Sequence, residues 1–542
     1  MSSMKRRGFL TAAMISGGAL ATGAASPASA RPGRDAGWKN PAACPQPYRA
    51  VTVRPGDSRY NSLTGGHNQR FVGRPESIRV VSTTEQVVAA VEEAVAAGRR
   101  IAVRSGGHCF EGFTASPDVQ VLLDMSQFDA VHHDPERRAF VVEPGATLGH
   151  VYRTLFKNWG VTIPGGACLD VAAGGHITGG GYGHLSRRHG LVSDHLYAVE
   201  VVVVDGKGKA RAVVATRDEG DPHRDLWWAH AGGGGGNLGV ITRFWLRTPG
   251  VTSSDPTALL PKAPGDGRRR TIMWPWESMT EAAFSTLLRN YCTWYERNSE
   301  PGTPSTDIWG VLLANHRSAG VLGMVAVIDD ALPDASRRLN AHVDAVAAGV
   351  GVTPVIDTEQ VIPWMTPQNW PLEATGRYKH KAGDLRSGYS DRQIATIWRY
   401  LEDRTYDNPA ANLGISGFGG QVNAPAPDAT ATAQRDAILK AVYSTGNWAD
   451  GEDGARHLTW VRDFYRDVYA DTGGVPVPDR RNAGSYINYP DVDLLDTRWN
   501  TSGVPWTTLY YRGNYPRLQR VKKQYDPRNV FRHPMSIAPP AR

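Results

Sequence analysis

The chain has 542 residues, 41% hydrophobic and 21% charged, a globular balance that excludes a disordered or fibrous protein. Beyond the N-terminus no run of ~18 apolar residues occurs, which excludes a polytopic membrane protein. The formal charge of +7 falls to +4 once Lys5, Arg6 and Arg7 are set aside, and both signs are interspersed, so there is no basic footprint for nucleic acid.

Lys5-Arg6-Arg7 precede Gly8-Phe9-Leu10, an Ala/Gly-rich run follows to about residue 25, and then comes Ala28-Ser29-Ala30. A basic start, an apolar middle and an A-x-A site make an export signal cleaved after Ala30. Paired arginines before Phe-Leu point to the twin-arginine route, which carries folded proteins and suits a chain that takes up a cofactor before export. The mature protein is expected outside the cell, with residues 31–47 as a loose leader and no membrane contact after the signal is removed. Residues 78–81 read as a strand, Thr83-Thr84-Glu85-Gln86 as a capped helix start, 87–97 as the helix, and 100–103 as a strand entering Arg104-Ser105-Gly106-Gly107-His108. Further strands are expected at 119–123, 139–142 and 199–204, with a helix at 225–231. From about 250 to 480, helices at 280–296, 334–349, 391–403 and 457–470 alternate with strands at 308–314, 321–328 and 412–418. The tail is aromatic and Asn-rich, then helical over 515–523.

Gly234-Gly235-Gly236-Asn237-Leu238-Gly239 fits GxGxxG, but a helix rather than a strand precedes it, which excludes a Rossmann site. Cys44, Cys109, Cys168 and Cys292 are too few for a disulfide scaffold and lack CxxC spacing. His108, Cys109, Cys168 and His176 lack the close pairs of structural zinc, so no metal is expected. In the first glycine tract, Ser105 to Cys109 form a turn after a strand whose N–H groups can point at a pyrophosphate. In the second, Pro164-Gly165-Gly166-Ala167-Cys168 leads to Gly174-Gly175-His176 and Gly179-Gly180-Gly181-Tyr182-Gly183, backbone able to lie flat on a planar ligand. Either tract alone is as readily an ordinary turn, and either cysteine a small buried hydrophobe.

Taken together these segments resemble the berberine bridge enzyme-like flavoprotein oxidases of the vanillyl-alcohol-oxidase or p-cresol-methylhydroxylase fold. The resemblance rests on Arg104-Ser-Gly-Gly-His108, Cys168-x7-His176 with its continuation to Gly183, and Gly236-Asn-Leu-Gly-Val-Ile-Thr242. Tyr486-Ile-Asn-Tyr489-Pro-Asp-Val-Asp493, Tyr510-Tyr-Arg-Gly-Asn514-Tyr-Pro-Arg-Leu518 and Tyr525-Asp-Pro-Arg-Asn529-Val-Phe531 complete it. Within the family the chain is similar to the bicovalent subgroup of aclacinomycin, tirandamycin and glucooligosaccharide oxidases. It implies an α+β fold of two domains: an FAD-binding domain at 48–250, a substrate domain with an antiparallel sheet at 251–484, and a return to the first domain at 485–542.

The resemblance also implies FAD held by two covalent bonds, from His108 to the flavin 8α-methyl and from Cys168 to C6. Arg104, Ser105, Gly106, Gly107, Cys109 and Gly112 would contact the cofactor from the first tract. Val171, Gly174, Gly175, His176, Gly179 and Gly183 would do so from the second, with Gly239, Val240, Ile241, Asn514 and Tyr515 from later segments. His176 matches the family residue that hydrogen-bonds near flavin N1–C2=O, where a donor stabilises the reduced ring. Val171 matches the oxygen gate, where Val goes with oxidases and Leu with dehydrogenases. Tyr489 matches the tyrosine facing substrate, but a phenol with pKa ~10 is a weak base unless its anion is stabilised. Asp384 falls where the oligosaccharide oxidases carry an aspartate; beside Tyr489 it would accept or orient the phenolic proton. Its plain reading is a solvated Asp in a turn after Gly383. Residues 419–423 fall on the strand where the berberine enzyme places a glutamate base; they contain no Glu, which speaks against alkaloid ring closure. Pro534-Met535-Ser536-Ile537 departs from the usual Gln-Ser-Ile. The expected function is a secreted FAD-dependent oxidase turning an alcohol of a secondary metabolite, or of a sugar, into a carbonyl. Its partners would be a small-molecule substrate and O2, the latter leaving as H2O2. The alternatives are a carbohydrate oxidase, favoured by Asp384, and a resistance protein that sequesters or reoxidises an antibiotic.

Overall fold

A computed structural model describes residues 50–366 and 375–540; the export signal, the leader and Cys44 lie outside them. Strands β1 (Val51–Val53), β2 (Ser77–Val80), β3 (Ile101–Arg104) and β4 (Val121–Asp124) form a sheet ordered β1-β2-β4-β3. β2, β4 and β3 are parallel. Helix Thr84–Ala96 makes the crossover, opened by the Thr83 hydroxyl accepting the Gln86 N–H. Its Val87, Ala90, Val91 and Ala94 recur at helical spacing and are buried.

β5 (Val131–Asp134), β6 (Ala139–Val142), β7 (Leu196–Val204), β8 (Ala210–Thr216) and β9 (Val240–Leu246) form an antiparallel sheet ordered β5-β6-β9-β7-β8. The apolar run of β7, interrupted only by Glu200, has a physical reason. Val199, Val201 and Val203 enter one core while Val202 and Val204 enter another, so both faces are covered.

The third sheet contains β10 (Asp266–Pro275), β11 (Trp309–Asn315), β12 (Val321–Asp329) and β13 (Ile356–Pro363). It also holds β14 (Tyr378–Leu385), β15 (Asn412–Gly417), β16 (Leu439–Gly446) and β17 (Asn482–Gly484). Its order is β13-β10-β12-β11-β15-β16-β14-β17, antiparallel throughout. Helices Glu281–Arg297, Ala335–Ala347, Asp391–Glu402 and Gly454–Val468 pack on it and on one another. Directly paired residues share a face, so one row crosses the sheet through Thr358, Thr271, Val325, Val311, Ser416, Lys440 and Asp384. The architecture is α+β, with two smaller sheets from residues 51–246 and a large antiparallel sheet backed by helices from residues 266–484.

β10, β13, β14 and β16 are strands the sequence did not announce. β10 and β14 carry several charges, and Arg268, Arg270, Lys379, Lys381 and Asp384 all meet opposite charges distant in sequence. Residues 419–423 are not a strand: β15 ends at Gly417, and Gly420–Asn423 form a 3-10 turn.

Candidate active site

β3 and β4 end on Arg104 and Asp124, which pair across the ladder and meet again through a 2.6 Å guanidinium–carboxylate contact. The turn after Arg104 therefore starts at the C-terminal edge of parallel strands, where such sheets place ligands. It lies directly on the second glycine tract. A Cβ on Gly106 would stand 2.8 Å from the Ala172 amide nitrogen, so only glycine permits the approach.

The two tracts wall a cavity of ≈ 420 Å³. From the first come Arg104, Ser105, Gly106, Gly107, His108 and Cys109; from the second, Cys168, Val171, Gly174, Gly175, His176 and Gly183. Gly239 and Ile241 join from β9 and its approach, and Tyr489 from the tail segment. Phe531, Arg532 and His533 add to the wall, with His533 stacked on Phe113 at 4.2 Å between centroids.

Burial, then the neighbouring His67, pushes His108 down to about 4, and burial alone does the same to His176. Both imidazoles are neutral at physiological pH. His176 Nε2 accepts the Gly166 N–H at 3.1 Å, so its own proton sits on Nδ1 and remains a donor. Cys109 is pushed up to about 11, chiefly by burial. A glycine-lined cavity holding a neutral imidazole, a second donor imidazole and the Cys168 thiol in one wall fits a flat ring system with a phosphate tail, as in FAD.

Tyr489 reaches the cavity from the tail segment. Its ring stacks on Phe110 at 5.2 Å and 9°, and its hydroxyl lies 2.6 Å from that of Tyr182. Behind Tyr182 sits Lys440, whose ammonium is 5.1 Å from the Tyr182 ring, 4.5 Å from Tyr486 and 4.3 Å from Phe418. Its hydrogen bond goes to Asp384 Oδ2 at 2.8 Å, and both residues are almost fully buried. Burial drives Lys440 down and Asp384 up, and each opposes the other's shift. The three aromatic rings that the ammonium faces favour its charged form.

Several expected residues stand elsewhere. Asp384 is not in the cavity wall and is not a solvated turn residue; it lies on β14, held by Lys440. Val240 alternates away from the cavity and is fully buried. Gly112 backs onto Phe71, and Gly179 onto the Asn488 side chain. Asn514 donates to the Pro427 carbonyl at 2.8 Å, and the Tyr515 hydroxyl accepts the Ala538 N–H at 3.2 Å; both anchor the tail. The sequence also missed Tyr182, although Gly181-Tyr182-Gly183 lay within the second tract, and it missed Lys440 and Phe110. Among the described residues no group of three or more His, Cys, Asp or Glu is arranged for a metal ion.

Comparison with known proteins agrees with this cavity. A family model for an FAD binding domain matches residues 75–209, and one for berberine and berberine-like proteins matches 485–538. The aclacinomycin-N/aclacinomycin-A oxidase of Streptomyces galilaeus is 50% identical, the match covering 100% of this chain and 99% of that one. The hexose oxidase of Chondrus crispus is 30% identical over 89% of this chain and 93% of its own. A solved glycopeptide hexose oxidase complexed with teicoplanin superposes with a TM-score of 0.87 at 50% identity, covering 92% of this chain and 100% of the other. The chain belongs to the berberine bridge enzyme-like family and is an FAD-dependent oxidase.

Proposed function

We propose that this oxidase is exported by the twin-arginine route, holds FAD through both His108 and Cys168, and oxidises an alcohol with Tyr489 as base. Bound against His108, Cys168 and His176, FAD would supply a two-electron acceptor for the carbinol hydride and a route for those electrons to O2. The observation that carries the proposal is the Tyr182–Tyr489 hydroxyl pair, 2.6 Å apart in the cavity wall and backed by Lys440. As Tyr489 takes the substrate hydroxyl proton, a hydrogen bond from Tyr182 and the nearby ammonium favour the phenolate side of the equilibrium. Asp384 acts through Lys440, keeping it protonated where burial favours the neutral amine. His176 supplies the Nδ1–H donor for charge gained by the reduced ring, and Val171 leaves O2 a path. Residues 48–250 and 485–542 serve the cofactor, and 251–484 the substrate.

The substrate is a hydroxylated or glycosylated secondary metabolite rather than a free sugar. From Ser416 in the cavity wall the sheet row continues through Val311, Val325 and Thr271, beside Leu313, which is 37% exposed. That floor suits an apolar body next to the reacting alcohol. Asp384, occupied by Lys440, presents no carboxylate to sugar hydroxyls, and the 50% identical oxidase of Streptomyces galilaeus is named for aclacinomycins. The test is to mix purified protein in air with glycosylated aromatic metabolites, glycopeptides, hexoses and oligosaccharides, following H2O2. One peroxide per carbonyl from a metabolite is expected. Turnover of sugars alone restores the carbohydrate reading, and tight binding without peroxide restores sequestration. Arg6→Lys with Arg7→Lys should trap the protein inside the cell.

A further inference from the structure

The loop 65–68 grips the chain on both sides of His108. Arg104 Nη1 donates to the Gly65 carbonyl at 2.9 Å, the His67 N–H to the Gly107 carbonyl at 2.9 Å, and Asn68 Nδ2 to the Phe110 carbonyl at 2.8 Å. Between these ties the His67 and His108 rings stack, with centroids 4.2 Å apart and planes 22° from parallel. His67 is itself held from behind: the Gly376 N–H donates to its carbonyl at 3.2 Å, and its Nδ1 lies 3.1 Å from the Tyr378 hydroxyl. None of this is needed for proton transfer at Tyr489. All of it restrains the ring plane of His108.

We propose that His67 is a positioning residue for the covalent attachment of FAD, holding the His108 ring by stacking so that an edge nitrogen faces the flavin 8α-methyl. The proposal rests on His108 being an attachment residue. In that step a C–N bond forms between the ring nitrogen and the methyl carbon. One methyl C–H and the ring N–H break, two protons leave, and the two electrons enter the flavin and are delivered to O2. Such a bond needs a neutral nitrogen with its lone pair in line, so fixing the ring raises the rate through orientation. A stacked aromatic fixes the plane while leaving the ring edge open.

The experiment isolates holoenzyme at increasing times after expression and quantifies flavin-bearing peptides at His108 and at Cys168 by mass spectrometry. His67→Ala and His67→Leu should lower early His108 occupancy about tenfold, the scale of a lost orientation effect, with Cys168 occupancy kept. His67→Phe retains the stack without the Tyr378 contact and should stay near wild type. His67→Leu preserves volume, so the comparison stands even if the alanine variant folds poorly. Wild-type occupancy in His67→Leu overturns the proposal, as does loss in a folded His67→Phe protein equal to that in His67→Leu. Wild-type protein without flavin on His108 overturns the attachment reading itself, a distinct result.

Discussion

Lys440→Met removes the ammonium behind Tyr182 while keeping a similar chain length. The ammonium lies 5.1 Å from the centre of the Tyr182 ring, so a unit charge on the hydroxyl pair beyond it, taken at ~7 Å with an effective dielectric of ~20, interacts with it by about 2 kcal/mol, or about 1.5–2 pKa units. Asp384 lies 2.8 Å from the ammonium and cancels part of that, leaving a net effect of ~1 unit. In the variant Asp384 takes up a proton, because a lone buried carboxylate is costly. Losing the cation raises the pKa at which the tyrosine pair gives up its proton. The midpoint of the pH–rate curve should then move up by ~1 unit, and the rate below it should fall ~10-fold. Lys440→Arg should keep the wild-type midpoint. The assay is anaerobic stopped-flow flavin bleaching across neutral and alkaline pH. An unchanged or lowered midpoint in Lys440→Met would refute the role given to the ammonium.

Val171→Leu should slow reoxidation of reduced enzyme by O2 far more than reduction by substrate; equal effects would remove Val171 from the oxygen path. Lys379 is buried between Glu111 and Asp491. Lys379→Met should therefore cost about 3–5 kcal/mol in a denaturant titration, whereas the exposed Arg289→Met, paired with Asp391, should cost under about 1 kcal/mol. Burial pushes Asp493 up, but Lys381, Lys379 and Arg462 hold it far below the carboxylate range. Its contribution is thus complete above the unfolded pKa of ~3.9 and drains away as pH falls below it. Acid unfolding should become less steep in Lys381→Met, measured by circular dichroism.

The β2–helix–β3 unit was legible because its cap, period and strands are local signals, and the four large helices of the third sheet carry ordinary amphipathic patterns. β14 was not legible. Lys379 and Lys381 look solvated in sequence, yet they are buried because Glu111, Asp491 and Asp493, more than a hundred positions away, neutralise them. The same blindness put Asp384 beside Tyr489: nothing local shows that Lys440, 56 positions on, takes its carboxylate. Tyr182 was hidden differently, as the one non-glycine in Gly179-Gly180-Gly181-Tyr182-Gly183, a run read for its backbone. The glycine contacts at Gly106 and the tract around His108 and Cys168 were legible because close backbone approach leaves glycine as its mark.

The rate at which a turned-over alcohol reduces the flavin of Tyr489→Phe under anaerobic conditions tests the central claim most directly. The account predicts a fall of ~10²–10⁴ relative to wild type, the worth of a positioned base, with flavin content and reduction by dithionite unchanged. Reduction within about twofold of wild type would contradict it and move the base to another residue over the cavity.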